Sequence, residues 1–117
     1  MNHKELDVWK KSMDLVEAVY ALTAKFPKEE RYGLASQMQR AAVSIPSNIA
    51  EGTARKSNKE LLQFISIAMG SAAELETQYL IAIRLCYNTE ENKIMTLIID
   101  VKKLLLGFRN YIKNSRQ

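Results

Sequence analysis

The sequence predicts an all-α protein, an antiparallel up-down four-helix bundle, on three observations. Apolar residues make up 47% of the 117 residues while the chain holds only 4 Gly and 2 Pro, a scarcity of breakers that favours long helices over many short strands. Four stretches repeat apolar residues at helical spacing, with short polar connectors between them. Strict apolar–polar alternation, the mark of a half-buried strand, is missing. A chain of this length makes one domain over residues 1–117, with helices expected at about 7–25, 33–51, 58–87 and 90–114.

In the first helix Trp9, Met13, Val16 and Tyr20 form one apolar stripe and Leu15, Val19, Leu22 and Phe26 a second beside it, with Lys10, Asp14, Glu17 and Lys25 opposite. Pro27 ends it, because the residue before a proline is pushed out of helical geometry. "PKEERYG" is then a polar turn. The second helix carries Leu34, Met38, Ala41, Ala42, Ile45 and Ile49. Pro46 lies inside it, removes one hydrogen bond and frees the carbonyl of Ala42, which predicts either a kink or a break followed by a fresh helix. Gly52 stands where a left-handed C-terminal cap is wanted.

Ser57 followed by Glu60 is a capping box and the clearest helix start in the chain. From there the pattern runs to Tyr87 without a breaker, and Leu61, Leu62, Phe64, Ile65, Ile67, Met69, Leu75, Leu80, Ile81 and Ile83 make it apolar around most of its circumference. Such a helix exceeds what its own chain can cover, so it is expected at the centre of the bundle and partly beneath a second subunit. "NTEEN" supplies an N-cap and acids in the first turn of the fourth helix. That helix repeats Ile94, Leu97, Ile98, Val101, Leu104, Leu105, Phe108, Tyr111 and Ile112 in a heptad rhythm. Met95, Ile99 and Leu106 fall outside the stripe and mark a candidate self-association surface.

Composition excludes several classes. No run of 18 apolar residues exists, so no membrane partner is expected. "MNHKELDVWKK" has charges where a signal peptide needs an apolar region. The single cysteine, Cys86, permits no intrachain disulfide and suits a reducing compartment. A cytoplasmic chain is expected, with Cys86 an inert core residue. His3 is the only histidine and lies near the terminus, so neither a zinc site, a di-iron Glu-x-x-His pair nor an arginine–histidine ribonuclease has its residues. Gly33, Gly52, Gly70 and Gly107 stand apart rather than forming a phosphate loop. Glu74 and Glu76 diverge on a helix. The expectation is a non-enzyme with no metal and no cofactor.

The formal charge of +4 is local. Lys102, Lys103, Arg109, Lys113 and Arg116 crowd the segment from Val101 to Gln117, which has no acid, leaving −1 for residues 1–100. Lys102, Arg109 and Arg116 repeat at seven and Lys113 lies one turn past Arg109, so these four share a flank, helped by Arg55, Lys56 and Lys59. Clustered cations of this kind suit phosphate contact, and a ring of subunits would multiply a weak affinity. A solvated face with cations at a helix C-terminus is the competing reading. Few aromatics interleave, so base stacking is not indicated on this flank. In "AAVSIPSNIAEGTARKS", Pro46, Ser47, Asn48, Glu51 and Gly52 read as a structural joint, the polar side chains satisfying backbone groups that the proline exposes. A ligand or nucleic-acid contact is the alternative.

"FPKEERYGLASQMQRAAVSIPSNIAEGTARKS" with "IAMGSAAELETQ" and "LDVWKKSMDLVEAVY" resembles the four-helix-bundle proteins encoded in intervening sequences of bacterial 23S ribosomal RNA genes. Ser44 to Gly52 is the most specific part, and the likeness spans nearly the whole chain. The resemblance implies a homopentameric barrel without known catalysis, whose partners are further copies of itself and RNA or DNA. It is similar also to accessory proteins of diversity-generating retroelements, which implies a reverse transcriptase as a further partner, with a ribosome-associated protein as the alternative. Two departures stand out. Gln39 and Arg40 replace a commoner basic pair, and Leu85-Cys86-Tyr87 replaces Leu-Gly-Tyr, which predicts a less sharp end to the third helix.

Overall fold

The computed structural model describes residues 1–87 and 93–115, with α1 at Asp7–Thr23, α2 at Leu34–Thr53, α3 at Asn58–Arg84 and α4 at Lys93–Lys113. Single 3-10 turns at His3–Glu5 and Lys28–Glu30 flank α1. The expected cap of α4 in "NTEEN" and the cation Arg116 lie outside the described residues.

α1 closes at Thr23, whose hydroxyl donates back to the Val19 carbonyl (2.9 Å). The chain then tightens into the turn that Pro27 demands. α2 opens on Glu30, whose carboxylate accepts from the Leu34 N–H (3.0 Å) and so satisfies one of the unpaired donors of a helix start. A β-carbon on Gly33 would come within 2.8 Å of that carboxylate oxygen. α2 runs unbroken through the buried Pro46, which overturns the break. Gly52 is no cap, contrary to expectation. It is buried inside α2, no described glycine has a positive φ, and the cap falls at Ala54 in right-handed geometry. Its function is proximity: a β-carbon there would lie 2.9 Å from both Leu61 Cδ1 and Phe64 Cβ of α3.

The capping box at α3 is present. The Glu60 N–H donates to Ser57 Oγ (3.2 Å), while the Glu60 carboxylate accepts from the same hydroxyl (3.1 Å) rather than from the backbone. The far end of α3 is sharp, contrary to expectation. Cys86 N–H bonds the Ile83 carbonyl and Tyr87 N–H the Ala82 carbonyl, both at 3.0 Å, which is a complete Schellman closure. Cys86 holds the left-handed position at φ 61°, where glycine is the unstrained choice. It is exposed rather than in the core.

Packing runs α1–α2–α3–α4–α1, with α1 and α3 on the diagonal. α3 is therefore a corner helix and not the centre, and the central core is shared by Leu15, Met38, Ile45, Ile65, Leu75 and Ile98 among others. Met13 and Tyr20, expected on the core side of α1, are exposed; Val8, Ser12, Leu15 and Val19 form its buried face. The bundle measures 49 × 24 × 20 Å, and the 27 residues of α3 cover about 40 Å of its long axis at the helical rise. Being at a corner, α3 leaves Ile67, Leu80, Ile81, Ile83 and Leu85 exposed.

Candidate nucleic-acid interface

α4 is anchored by Ile94, Ile98, Val101, Leu105 and Ile112, all buried. That fixes its rotation and places Met95, Lys102, Leu106, Arg109 and Lys113 on one flank, within about 60° of one another at 100° per residue. Cations and apolar residues therefore interleave on one surface instead of forming two. Ile99 and Leu106 are 40% and 42% exposed, and Met95 is half-buried against the core. Lys102, Lys103, Leu105 and Leu106 of α4 line, with Met69 of α3, a shallow groove of about 230 Å³.

The six expected cations among the described residues differ in what they have left to offer. Lys102 Nζ is 2.7 Å from Glu76 Oε1 on α3, so its charge is largely compensated. Arg55 lies 3.4 Å from Glu51, and its guanidinium sits 4.8 Å above the Phe64 ring. Arg109 is half-buried, and its Nε is enclosed with no acceptor. Lys56, Lys103 and Lys113, with Lys59, are exposed and have no carboxylate partner among the described residues.

Most of these free charges lie in the half of the bundle that holds the α2–α3 turn. The Lys102–Glu76 pair sets the antiparallel register of α3 and α4. Continuing to Lys113 advances about 16 Å toward the start of α3, to about the level of Ile65, with Lys59 near the start of α3 and Arg55 and Lys56 of the α2–α3 turn about 9 Å or more beyond. Lys103 stays behind at mid-bundle. The flank of α4 that carries Lys102, Arg109 and Lys113 thus runs toward the end of the bundle that carries Arg55, Lys56 and Lys59.

The predicted joint is also resolved. Asn48 Nδ2 donates to the Ser44 carbonyl (2.7 Å) and hydroxyl (2.9 Å), and the Ser71 hydroxyl of α3 donates to Ser44 Oγ (2.9 Å). Asn48 does bind a backbone acceptor, but that of Ser44 and not the Ala42 carbonyl freed by Pro46. This chain of polar contacts, with Gly52 below it, locks α2 to α3. Glu51 is exposed and, among the described residues, its side chain is engaged only with Arg55.

One polar cluster escaped sequence reasoning. Glu30 also accepts from the Tyr87 hydroxyl (2.8 Å), and Tyr87 packs on Phe26 with ring centres 5.2 Å apart. The Leu34 N–H first, and Tyr87 second, hold the Glu30 carboxyl below its ordinary range. The same bond pushes the Tyr87 phenol up. The residues are far apart in sequence, and only the fold joins them.

Among the described residues no three His, Cys, Asp or Glu side chains converge as a metal site, and no helix is long and apolar enough to cross a membrane. A model of the 23S rRNA-intervening sequence protein family matches residues 4–107. The chain belongs to that family. A solved member of the S23 ribosomal protein family from Bacteroides thetaiotaomicron, of unknown function, shares 25% identity with it at a TM-score of 0.81, covering 88% of this chain and 95% of its own. No curated protein matches. The matched span of this intervening-sequence protein includes Arg55, Lys56, Lys59 and Lys103 but ends before Arg109 and Lys113.

Proposed function

We propose that this protein is a non-catalytic, cytoplasmic homo-oligomer that contacts the phosphates of structured RNA, ribosomal RNA included, through the C-terminal flank of α4 and the adjoining α2–α3 turn. The observation that carries it is that Lys56, Lys59 and Lys113, all exposed and free of carboxylate partners among the described residues, lie in the same half of the bundle. Three such contacts hold RNA weakly. A ring of copies, five by the resemblance above, presents them repeatedly and raises the avidity without any new contact. The exposed apolar residues of α3 and α4 supply the material for that assembly.

Binding to a structured RNA, with duplex DNA as a second arm, tests this against salt. Three phosphates neutralised per subunit give a logarithmic slope of about −2 to −3 for each subunit engaged. Lys56, Lys59 and Lys113 changed together to Glu should abolish binding. No affinity for either nucleic acid at low salt discards the reading.

A second reading is a scaffold for a polymerase, such as a reverse transcriptase, or a ribosome-associated protein. The exposure of Ile99 and Leu106 beside the apolar groove favours it. In that case Ile99→Lys and Leu106→Lys damage function while the three charge reversals leave it intact.

A further inference from the structure

At the opposite end of the bundle the α1–α2 connection encloses a groove of about 470 Å³, within the range of small-molecule sites. Its lining includes Phe26, Lys28, Arg31, Tyr32, Ser36 and Gln39, and no carboxylate. Glu30, in the middle of the same connection, is not in the lining, and its oxygens are taken by Leu34 and Tyr87. Lys28 and Arg31 pair with no carboxylate among the described residues. Two cations with no carboxylate partner among the described residues therefore face one concavity, while Glu29, exposed and next to Lys28 in sequence, is outside the lining.

The aromatic is equally unspent. Tyr32 is 87% exposed, the most open large hydrophobic of the described residues, and Arg31 lies with its guanidinium carbon 5.4 Å from the ring centre. A guanidinium over a ring interacts through its face, which leaves its N–H edge to donate to an anion. The groove wall beside them is held in place. Gln39 Nε2 donates to Thr23 Oγ1 (3.0 Å), which itself donates to the Val19 carbonyl (2.9 Å). That orients the carboxamide and leaves its carbonyl oxygen for a ligand donor.

We propose that this groove is a second binding site that takes a nucleotide, its base against the Tyr32 ring and its phosphate on Lys28 and Arg31. The site goes beyond the phosphate contacts at the other end of the molecule and shares no residue with them. The Tyr87–Glu30 bond places the end of α3 here, whereas Lys113 lies toward the beginning of α3. The carboxamide of Gln39 reads the base edge, and a strand terminus or a free nucleotide presents the same chemistry.

Amide shifts in two-dimensional NMR, with affinities by calorimetry, test the site with AMP, inorganic phosphate and a 5′-phosphorylated hexaadenylate. Shifts are expected within residues 23–39. Tyr32→Leu should weaken AMP about 5-fold or more, as loss of one stacked base does, and leave phosphate unchanged. Lys28→Ala with Arg31→Ala should weaken AMP, phosphate and the hexaadenylate about 10-fold or more, as loss of charge-assisted hydrogen bonds to phosphate does, with unchanged circular dichroism. Binding of both AMP and the hexaadenylate here identifies a mononucleotide site, and binding of the hexaadenylate alone identifies a strand terminus. Shifts confined to α4 and the α2–α3 turn overturn this site while upholding the other. The absence of any shift in 23–39, or variants that bind AMP and the hexaadenylate as the parent does, overturns it outright.

Discussion

Gly52→Ala sets two effects of similar size against each other, and the structure decides the sign. In a helix interior Ala is better than Gly by about 1 kcal/mol, so propensity favours the change. Against it, the new β-carbon would lie 2.9 Å from Leu61 Cδ1, 2.9 Å from Phe64 Cβ and 3.4 Å from the Leu61 carbonyl oxygen. Leu61 Cδ1 can swing away. Phe64 Cβ cannot, being bonded to the backbone of α3, so α2 and α3 must part by several tenths of an ångström. Overpacking of this kind costs about 1–3 kcal/mol, and parting also loosens the Ser44–Ser71 contact farther along the same seam. The net expectation is a loss of about 1 kcal/mol, or about 4 °C in Tm for a chain of this size. Gly70→Ala and Gly107→Ala are the controls. Both sit inside helices and would meet nothing within 4 Å, so each should gain about 0.5–1 kcal/mol from propensity alone. Urea unfolding followed by circular dichroism reads all three. If Gly52→Ala stabilises as the controls do, the close approach of α2 and α3 is refuted.

Cys86→Gly should stabilise. The left-handed conformation costs a residue with a β-carbon about 1–2 kcal/mol, and glycine's added freedom in the unfolded chain returns about 0.5–1 of it, for a net gain of roughly 0.5–1 kcal/mol. Cys86→Ala keeps the β-carbon and should leave the urea midpoint unmoved, so equal midpoints for Gly and Ala would rule out backbone strain. The Glu30–Tyr87 bond predicts a pH dependence at both extremes. Glu30's folded pKa is lowered, so its stabilisation is present at neutral pH and is lost as pH falls below the ordinary carboxylate range toward the folded value. Tyr87's is raised, so its share is present at neutral pH and is lost as pH climbs past the ordinary phenol range. Tyr87→Phe should flatten the alkaline limb of stability against pH and shallow the acid limb, and Glu30→Gln should remove this part of both. Limbs identical to the parent's would show that the bond contributes nothing.

The four helices, the end of α1 before Pro27 and the Ser57–Glu60 cap were legible because each is written within a few neighbouring residues. What depends on a second helix was not. Gly52 near an expected helix end looks like a cap, and only the position of Phe64 shows that it is a contact point. Lys102 counts as a free charge until Glu76, from another helix, is found beside it. Arg55 is similarly half-spent on Glu51 and Phe64, although the four-residue spacing to Glu51 could have signalled that pair. Glu30 was read as turn polarity because its partner Tyr87 is remote in sequence. Cys86 follows the same rule in reverse: its left-handed position is visible where a glycine is commoner, yet a cysteine there suggests a loose end until the backbone bonds are seen to close.

The exposed apolar residues of α3 constrain how copies could assemble. At 100° per residue Ile67, Ile81 and Leu85 fall within about 40° of one another, while Leu80 and Ile83 centre roughly 150° away. Ile67 is 51% and Leu80 47% exposed. The register set by Lys102 and Glu76 brings Leu80 level with Ile99, so the second set continues onto α4, whereas the first lies toward α2. One helix thus offers two strips facing different directions. A two-fold dimer repeats a single patch and leaves the other bare. Covering both requires that one copy's first strip meet the next copy's second, which closes as a ring when the rotation allows. In a ring, Ile67→Lys and Leu80→Lys each leave one intact strip, so each variant alone should run as a monomer in light scattering. Mixed, they should form one heterodimer, through the intact second strip of the first variant and the intact first strip of the other, and grow no further. Homodimers of either variant, or no association on mixing, would refute the head-to-tail arrangement and with it the multivalency on which the proposed RNA contact depends.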